Sequence, residues 1–262
     1  MAAEGLSYRF TRAIVRLPAP SVVNGLREID RGEPDHATYL REHAIYVEAL
    51  ESAGLDVSTL GALEEFPDSV FVEDTALCLP QGIVILRPGA DSRLGEADRM
   101  AADCASLGLE TVGLTGEGRV DGGDILVTDR EILVGASQRS DPAGFRALRF
   151  IVEDWGYAIR LVQTPRGVLH FKSDCSILGP ETVFASPRLS GDPCFVGYEV
   201  IETPPGEEAA AKAIRVNDTV LVAAGYPRTA ERLSAAGYDI EVLPASQAAL
   251  LDGGLSCQSL RF

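Results

Sequence analysis

Positive charge is in short supply. Lys plus Arg number 23 against 39 Asp plus Glu, a formal charge of −16. Such a surface repels phosphate backbones, so neither nucleic acid nor an anionic membrane is an expected partner. Long hydrophobic runs are also missing. No apolar stretch approaches the roughly 18–20 residues of a spanning helix. The opening "MAAEGLSYRFTRAIVRLP" lacks the basic-then-apolar layout of a secretory signal. Cysteine is sparse and scattered, at Cys78, Cys104, Cys175, Cys194 and Cys257, with no CxxC pair. That spacing argues against a zinc cage or a disulfide framework. An odd number of free thiols fits a reducing cytoplasm. No Pro/Gly/Ser-rich linker divides the chain, so residues 1–262 read as a single domain.

What is present is a repeat. Glycine, then Leu or Tyr, then a short alternating run recurs as "GLDVSTL" at Gly54, "GLETVGL" at Gly108, "GYAIRLV" at Gly156, "GYEVIET" at Gly197 and "GYDIEVL" at Gly237. Apolar residues at helical spacing precede most of these glycines: Leu40, Ala44, Val47 and Leu50, then Ala97, Met100, Cys104 and Leu107, then Phe145, Leu148, Val152 and Trp155. A shorter helix, "RTAERLSAA", precedes Gly237, whereas the stretch before Gly197 has little or none. Upstream of the helices lie strand pairs such as "EDTALCLPQGIVILRPG" and "GGDILVTDREILVGAS". The expected unit is strand–strand–helix–strand, repeated about five times. Five units, each with one apolar face, can close into a ring and remove their sheet edges. The fold class is therefore α/β, with a five-unit ring preferred over an open sheet.

In a ring, the starts of the first strands converge, and reactive residues cluster there. The second unit opens with "FPDSVFVEDTA". Asp68, Glu73 and Asp74 bracket an apolar "SVFV", and carboxylates in such surroundings call for a cation. Read as a strand, Asp74 shares a face with Val72 while Glu73 points away. The third unit opens with "RVDGGDILV", where Asp121 and Asp124 flank glycines that permit close approach of other backbone. The fourth, "GVLHFKSDCSIL", places His170 in an apolar run. The other two histidines, His36 and His43, fall on or beside the first helix, where a surface position is expected. The tail "LDGGLSCQSLRF" holds Cys257 among glycines and polar residues, unlike the apolar settings of Cys78, Cys104 and Cys175. Cysteine, histidine and carboxylates at four unit openings point to nucleophilic attack on a cationic electrophile such as a guanidinium carbon.

Taken together, "FPDSVFVEDTA", "RPGADSR", "DGGDILVTDREILVGASQR", "LHFKSDCSILG" and "DGGLSCQS" resemble the dimethylarginine dimethylaminohydrolases over nearly the whole chain. Those enzymes belong to the guanidine-modifying (pentein) superfamily of five-bladed α/β propellers. The resemblance implies Cys257 as the nucleophile, His170 as the acid/base and Asp121 as the carboxylate that orients it. It implies Asp74, with Glu73 beside it, as the acceptor of the substrate guanidinium. Arg93 and Arg139 would hold the substrate α-carboxylate. Asp68, the backbone at Leu26 and Leu251, and Asp252 would line the amino-acid end of the pocket. The expected substrate is a small cationic amino acid, a methylated arginine, converted to citrulline. No cofactor and no catalytic metal are implied, and a homodimer is compatible with the family. Gln258 follows the nucleophile position where some relatives carry a second cysteine. Two other readings stand: an arginine deiminase or other guanidino-compound hydrolase, and a non-catalytic binding protein on the same ring. The second lacks support, because such proteins do not carry the Cys–His–carboxylate set. Glycines 253 and 254 are expected to leave substrate room beside the backbone.

Overall fold

Five three-stranded sheets, each built to one plan, carry the chain. The computed structural model describes residues 5–262. In the first sheet β1 (Arg12–Arg16) lies between β15 (Ser259–Arg261) and β2 (Asp56–Leu60). The second is β3 (Ala76–Leu79), β4 (Gly82–Ile85) and β5 (Thr111–Gly113). The third is β6 (Ile125–Val127), β7 (Ile132–Ala136) and β8 (Ile159–Gln163). The fourth is β9 (Cys175–Ile177), β10 (Thr182–Ala185) and β11 (Glu199–Glu202). The fifth is β12 (Ile214–Val216), β13 (Thr219–Ala223) and β14 (Asp239–Leu243). In every sheet the middle strand pairs antiparallel with the inner strand and parallel with the outer one.

A parallel pair needs a crossover, and the helices supply it. The crossovers are α1 (His36–Ser52), α2 (Leu94–Ser106), α3 (Pro142–Asp154) and α4 (Pro227–Ala235). The α3 sequence shows why. Asp141 caps the helix by accepting from the Ala143 and Gly144 amides, Pro142 fits the first turn, and Phe145, Leu148 and Val152 form the buried stripe. Gly156, at φ +91°, then turns the chain out of the helix. The fourth unit has only a 3-10 turn, Pro193–Phe195, in this place, as expected.

The α1 stripe differs from expectation. Tyr39, His43, Tyr46, Ala49 and Leu50 are buried, while Leu40 and Ala44 face outward. The two tyrosines bury more surface than the aliphatic set, and the Tyr46 hydroxyl reaches Ser259 Oγ of β15 at 2.7 Å. His43, expected at the surface, is 1% exposed as a result.

The inner strands β3, β6, β9, β12 and β15 all line one axial cavity. That common lining, and the antiparallel pairing of β15 with β1 (Ile14 opposite Leu260), make the fold a five-bladed α/β propeller whose last strand completes the first blade. A short 3-10 turn precedes each inner strand: Val72–Thr75, Gly122–Asp124, Phe171–Ser173, Glu208–Lys212 and Ser256–Gln258. These five turns stand in equivalent places around the axis. Among the described residues, no helix is long and apolar enough to cross a membrane. A further short helix, α5 (Ser246–Leu250), packs on α1 ahead of the Cys257 turn.

Candidate active site

One end of the axis opens into a pocket of about 110 Å³. Of the residues singled out in the sequence, Leu26, Asp68, Asp74, Arg93, Arg139, His170, Leu251, Asp252 and Cys257 line it. Phe71 and Leu169 add apolar wall. Asp121 stands behind His170, and Glu73 lies elsewhere.

The local conformation corrects the strand reading of "SVFVED", although Glu73 points away from Asp74 as that reading had it. Residues 72–75 form a 3-10 turn, in which successive side chains diverge by a third of a turn. Asp74 therefore enters the pocket while Glu73 faces the axial cavity on the other side. There Glu73 Oε1 pairs with Lys172 Nζ at 2.6 Å and Arg261 at 3.2 Å. It is a floor residue and not a wall of the substrate pocket.

His170 occupies the residue before the Phe171–Ser173 turn, with Nε2 2.9 Å from Asp121 Oδ2. Asp121 is fully buried, and its second oxygen accepts from the Gly89 amide at 2.6 Å. The adjacent glycines earn their place by contact. A Cβ on Gly122 would lie 1.9 Å from the Glu73 carbonyl oxygen, and one on Gly123 would lie 2.6 Å from His170 Nδ1. Burial works to lower the imidazole's pKa, but the carboxylates of Asp74, Asp121 and Asp124 outweigh it and raise it to about 9. Asp124 is itself buried, bound by Ser137 Oγ, Ser140 Oγ and the Phe171 amide. It fixes the turns that carry Asp121 and His170.

Asp74 accepts from the Gly123 amide at 2.9 Å and from Arg93 at 2.5 Å. Burial alone would raise its pKa, but the charges of His170 and Arg93 bring it below the ordinary carboxylate value. Arg93 is heavily engaged: Glu96 takes Nε and one NH2 hydrogen, and the Phe71 and Asp68 carbonyls take the other. Arg139 differs, for its guanidinium meets no protein acceptor among the described residues. Asp68 accepts from the Leu26 amide at 2.9 Å, and burial raises its carboxyl. Asp252, at φ +58°, accepts from the Glu28 amide at 2.6 Å and so ties the segment after Gly25 to the Cys257 segment.

Cys257 lies in the Ser256–Gln258 turn, partly exposed to the pocket. Burial raises its thiol pKa, and Glu73 and Asp74 add to this, while Lys212 works the other way. These surroundings favour the thiol over the thiolate. The other four cysteines are also held neutral by burial, Cys104 at about 11 and Cys194 at about 12. Gly253 lines the pocket, as expected of a tail glycine, but the space in the side-chain direction of both glycines is filled. A Cβ on Gly253 would lie 2.4 Å from the Phe71 ring, and one on Gly254 would lie 2.8 Å from the Lys212 stem.

Lys172 and Lys212 escaped the sequence reading, yet a signal was there. They are the only two lysines in the chain. Both sit in the turns preceding inner strands, one holding Glu73 and the other donating from Nζ to the Asp252 carbonyl at 2.6 Å. Donor atoms of Asp74, Asp121 and His170 lie within 4.8 Å of one another, close enough to share a metal ion. Their oxygens are already met by Gly123, Arg93, Gly89 and His170.

No family model matches the chain. An N(G),N(G)-dimethylarginine dimethylaminohydrolase of Pseudomonas aeruginosa is 37% identical over 97% of this chain and 100% of its own length. One of Streptomyces coelicolor is 32% identical over 95% of this chain and 96% of its own. A solved structure of the Pseudomonas aeruginosa enzyme, a cysteine-to-serine variant complexed with citrulline, superposes with a TM-score of 0.93 at 35% identity, covering 97% and 100% of the two chains. Identity at this level spread along the full length of both chains, on the same five-bladed fold, is what common descent leaves. This chain belongs to the dimethylarginine dimethylaminohydrolase family.

Proposed function

We propose that the protein hydrolyses Nω-methylated arginine to citrulline and an alkylamine, through a covalent bond to Cys257. The observation that carries the proposal is one pocket lined by Cys257, His170, Asp74 and Arg139, with Asp121 behind His170. The relatives' activity and the citrulline bound to one of them support the same reading.

The residues divide the work by charge. Asp74 offers a carboxylate to the guanidinium, in competition with Arg93. Arg139, with its fork of donors uncommitted, receives the α-carboxylate, and Arg93 has one NH1 hydrogen left to assist. Asp68, Leu26, Leu251 and Asp252 shape the amino-acid end. The bound guanidinium places positive charge beside the thiol, and this favours the thiolate that burial and Asp74 otherwise oppose. The same charge lowers the His170 pKa and makes the imidazolium a better acid. The thiol gives up its proton to solvent as the cation binds, the resulting thiolate attacks the guanidinium carbon, His170 gives its proton to the departing amine, and the carbon–nitrogen bond breaks. Neutral His170 then takes a proton from water, the resulting hydroxide attacks the S-alkylthiouronium carbon, and the carbon–sulfur bond breaks as the new hydroxyl's proton passes to the departing sulfur, releasing citrulline and restoring the thiol. Loss of the cation weakens the hold of Asp74 and frees the product.

Residues 1–262 act as one domain on this account, supported by the pairing of β15 with β1. The five unpaired thiols support a reducing cytoplasm. The test is a panel of asymmetric dimethylarginine, monomethylarginine, arginine and agmatine, assayed for ureido product. Citrulline from the methylated arginines is expected. Ureido product from arginine or agmatine alone would assign the pocket to another guanidino compound, and none from any of the four would end the enzyme reading.

A further inference from the structure

Behind the active-site floor, the axial cavity carries an imbalance of its own. Lys172, Arg215 and Arg261 line it against the single carboxylate of Glu73, so three cations face one anion. This stands out in a chain of formal charge −16. The cavity has about 110 Å³ of space, enough for a small ion.

Hydrogen-bonding groups are out of balance as well. Lys172 gives one of its three N–H groups to Glu73 and meets no other protein acceptor among the described residues. Ser176 lines the cavity at 7% exposure, and its hydroxyl has no partner among the described residues. Arg261 binds the Ser256 and Ser259 carbonyls, Ser259 Oγ and Glu73, and Arg215 commits two of its five N–H groups, to the Leu178 and Asn217 carbonyls. One acceptor is also unmet among the described residues: Glu73 Oε2, on a residue 5% exposed. Buried polar groups call for partners, and two residues that lack one for a buried oxygen, among the described residues, line this cavity.

Water satisfies the hydroxyl and the carboxylate oxygen but leaves the charge. A bare anion meets the donors and the charge but is repelled by Glu73 Oε2. A protonated oxyanion does all three, because it accepts several hydrogen bonds and donates one. We infer that the axial cavity binds a small protonated oxyanion of the hydrogen phosphate class. Lys172 and Ser176 donate to it, and Glu73 Oε2 accepts its O–H. This site is separate from the substrate pocket and does not depend on the reaction proposed for it.

The test is calorimetric titration of the whole protein with inorganic phosphate near pH 7.5 at constant ionic strength, with sulfate and acetate as comparison ions. Saturable one-to-one phosphate binding is expected, with sulfate, which carries no proton at this pH, and acetate both weaker. Lys172→Met should weaken phosphate by about tenfold or more, and the conservative Ser176→Ala by about fivefold. Arg139→Gln, in the other pocket, should leave it within about twofold. Absence of saturable binding overturns the inference, as does phosphate binding unchanged in Ser176→Ala. Binding lost in Arg139→Gln and kept in Lys172→Met places the ion in the substrate pocket and also overturns it. Sulfate binding as tightly as phosphate removes Glu73 Oε2 from the site and refutes the protonated class.

Discussion

His170 Nε2 and Asp121 Oδ2 stand 2.9 Å apart, although 49 residues separate them in the chain. The contact joins the turn before β9 to the turn before β6, and its charge helps to keep His170 protonated up to about pH 9. Asp121→Asn keeps the shape and removes the charge. Activity should fall by about 10²–10⁴-fold, the range for a carboxylate that orients a catalytic imidazole. The His170-dependent limb of the rate profile should also move to lower pH. A pH–rate series on wild type and variant checks both.

Lys212 is the lysine charge that favours the Cys257 thiolate, and its stem fills the space beside Gly254. Lys212→Met keeps the stem and removes the charge and the bond to Asp252. Alkylation of Cys257 should shift to higher pH, with the melting temperature nearly unchanged. In the wild type a bound cationic arginine analogue should shift the profile the other way. An alkylation profile indifferent to both changes would remove the electrostatic account of the thiol.

Two histidines set opposite pH limits on stability. His43 is buried and its pKa is lowered to about 4, burial outweighing the Arg16 carbonyl. Its neutral form is worth about 3 kcal/mol to the fold above pH 6.5, lost progressively as pH falls toward 4. His170 has a raised pKa of about 9, so its contribution is complete below about pH 6.5 and lost as pH rises through 9. Denaturant titrations across pH 4–10 should show both slopes. His170→Ala should flatten the alkaline one.

The C-terminal strand serves the fold and the site at once. A chain ending before Leu255 loses Cys257 and also β15, which pairs with β1 and binds Tyr46. Cooperative unfolding should weaken and activity should vanish together. A truncated chain with wild-type thermal stability would show that ring closure needs no fifteenth strand.

Much of this was legible in the sequence because the repeat announces itself. Glycine-stopped helices and paired strands gave five units, and the inner-strand starts gave His170, Asp121, Asp74 and Cys257 as neighbours. The misses have local causes. "SVFVED" has the apolar content of a strand but folds as a 3-10 turn, which sends Glu73 to the axis. In α1 the aliphatic stripe and the tyrosine stripe are one residue out of phase, and tertiary contact with β15 chooses the tyrosines. Close approaches such as Phe71 on Gly253 depend on residues far apart in the chain, and no spacing rule reveals them.

The most direct test of the central claim is the mass of the protein quenched in acid during turnover of asymmetric dimethylarginine. The account predicts an adduct on the peptide containing Cys257, equal to substrate less dimethylamine, and neither adduct nor citrulline from Cys257→Ser. Citrulline formed by Cys257→Ser, or an adduct mapped to another residue, would contradict it.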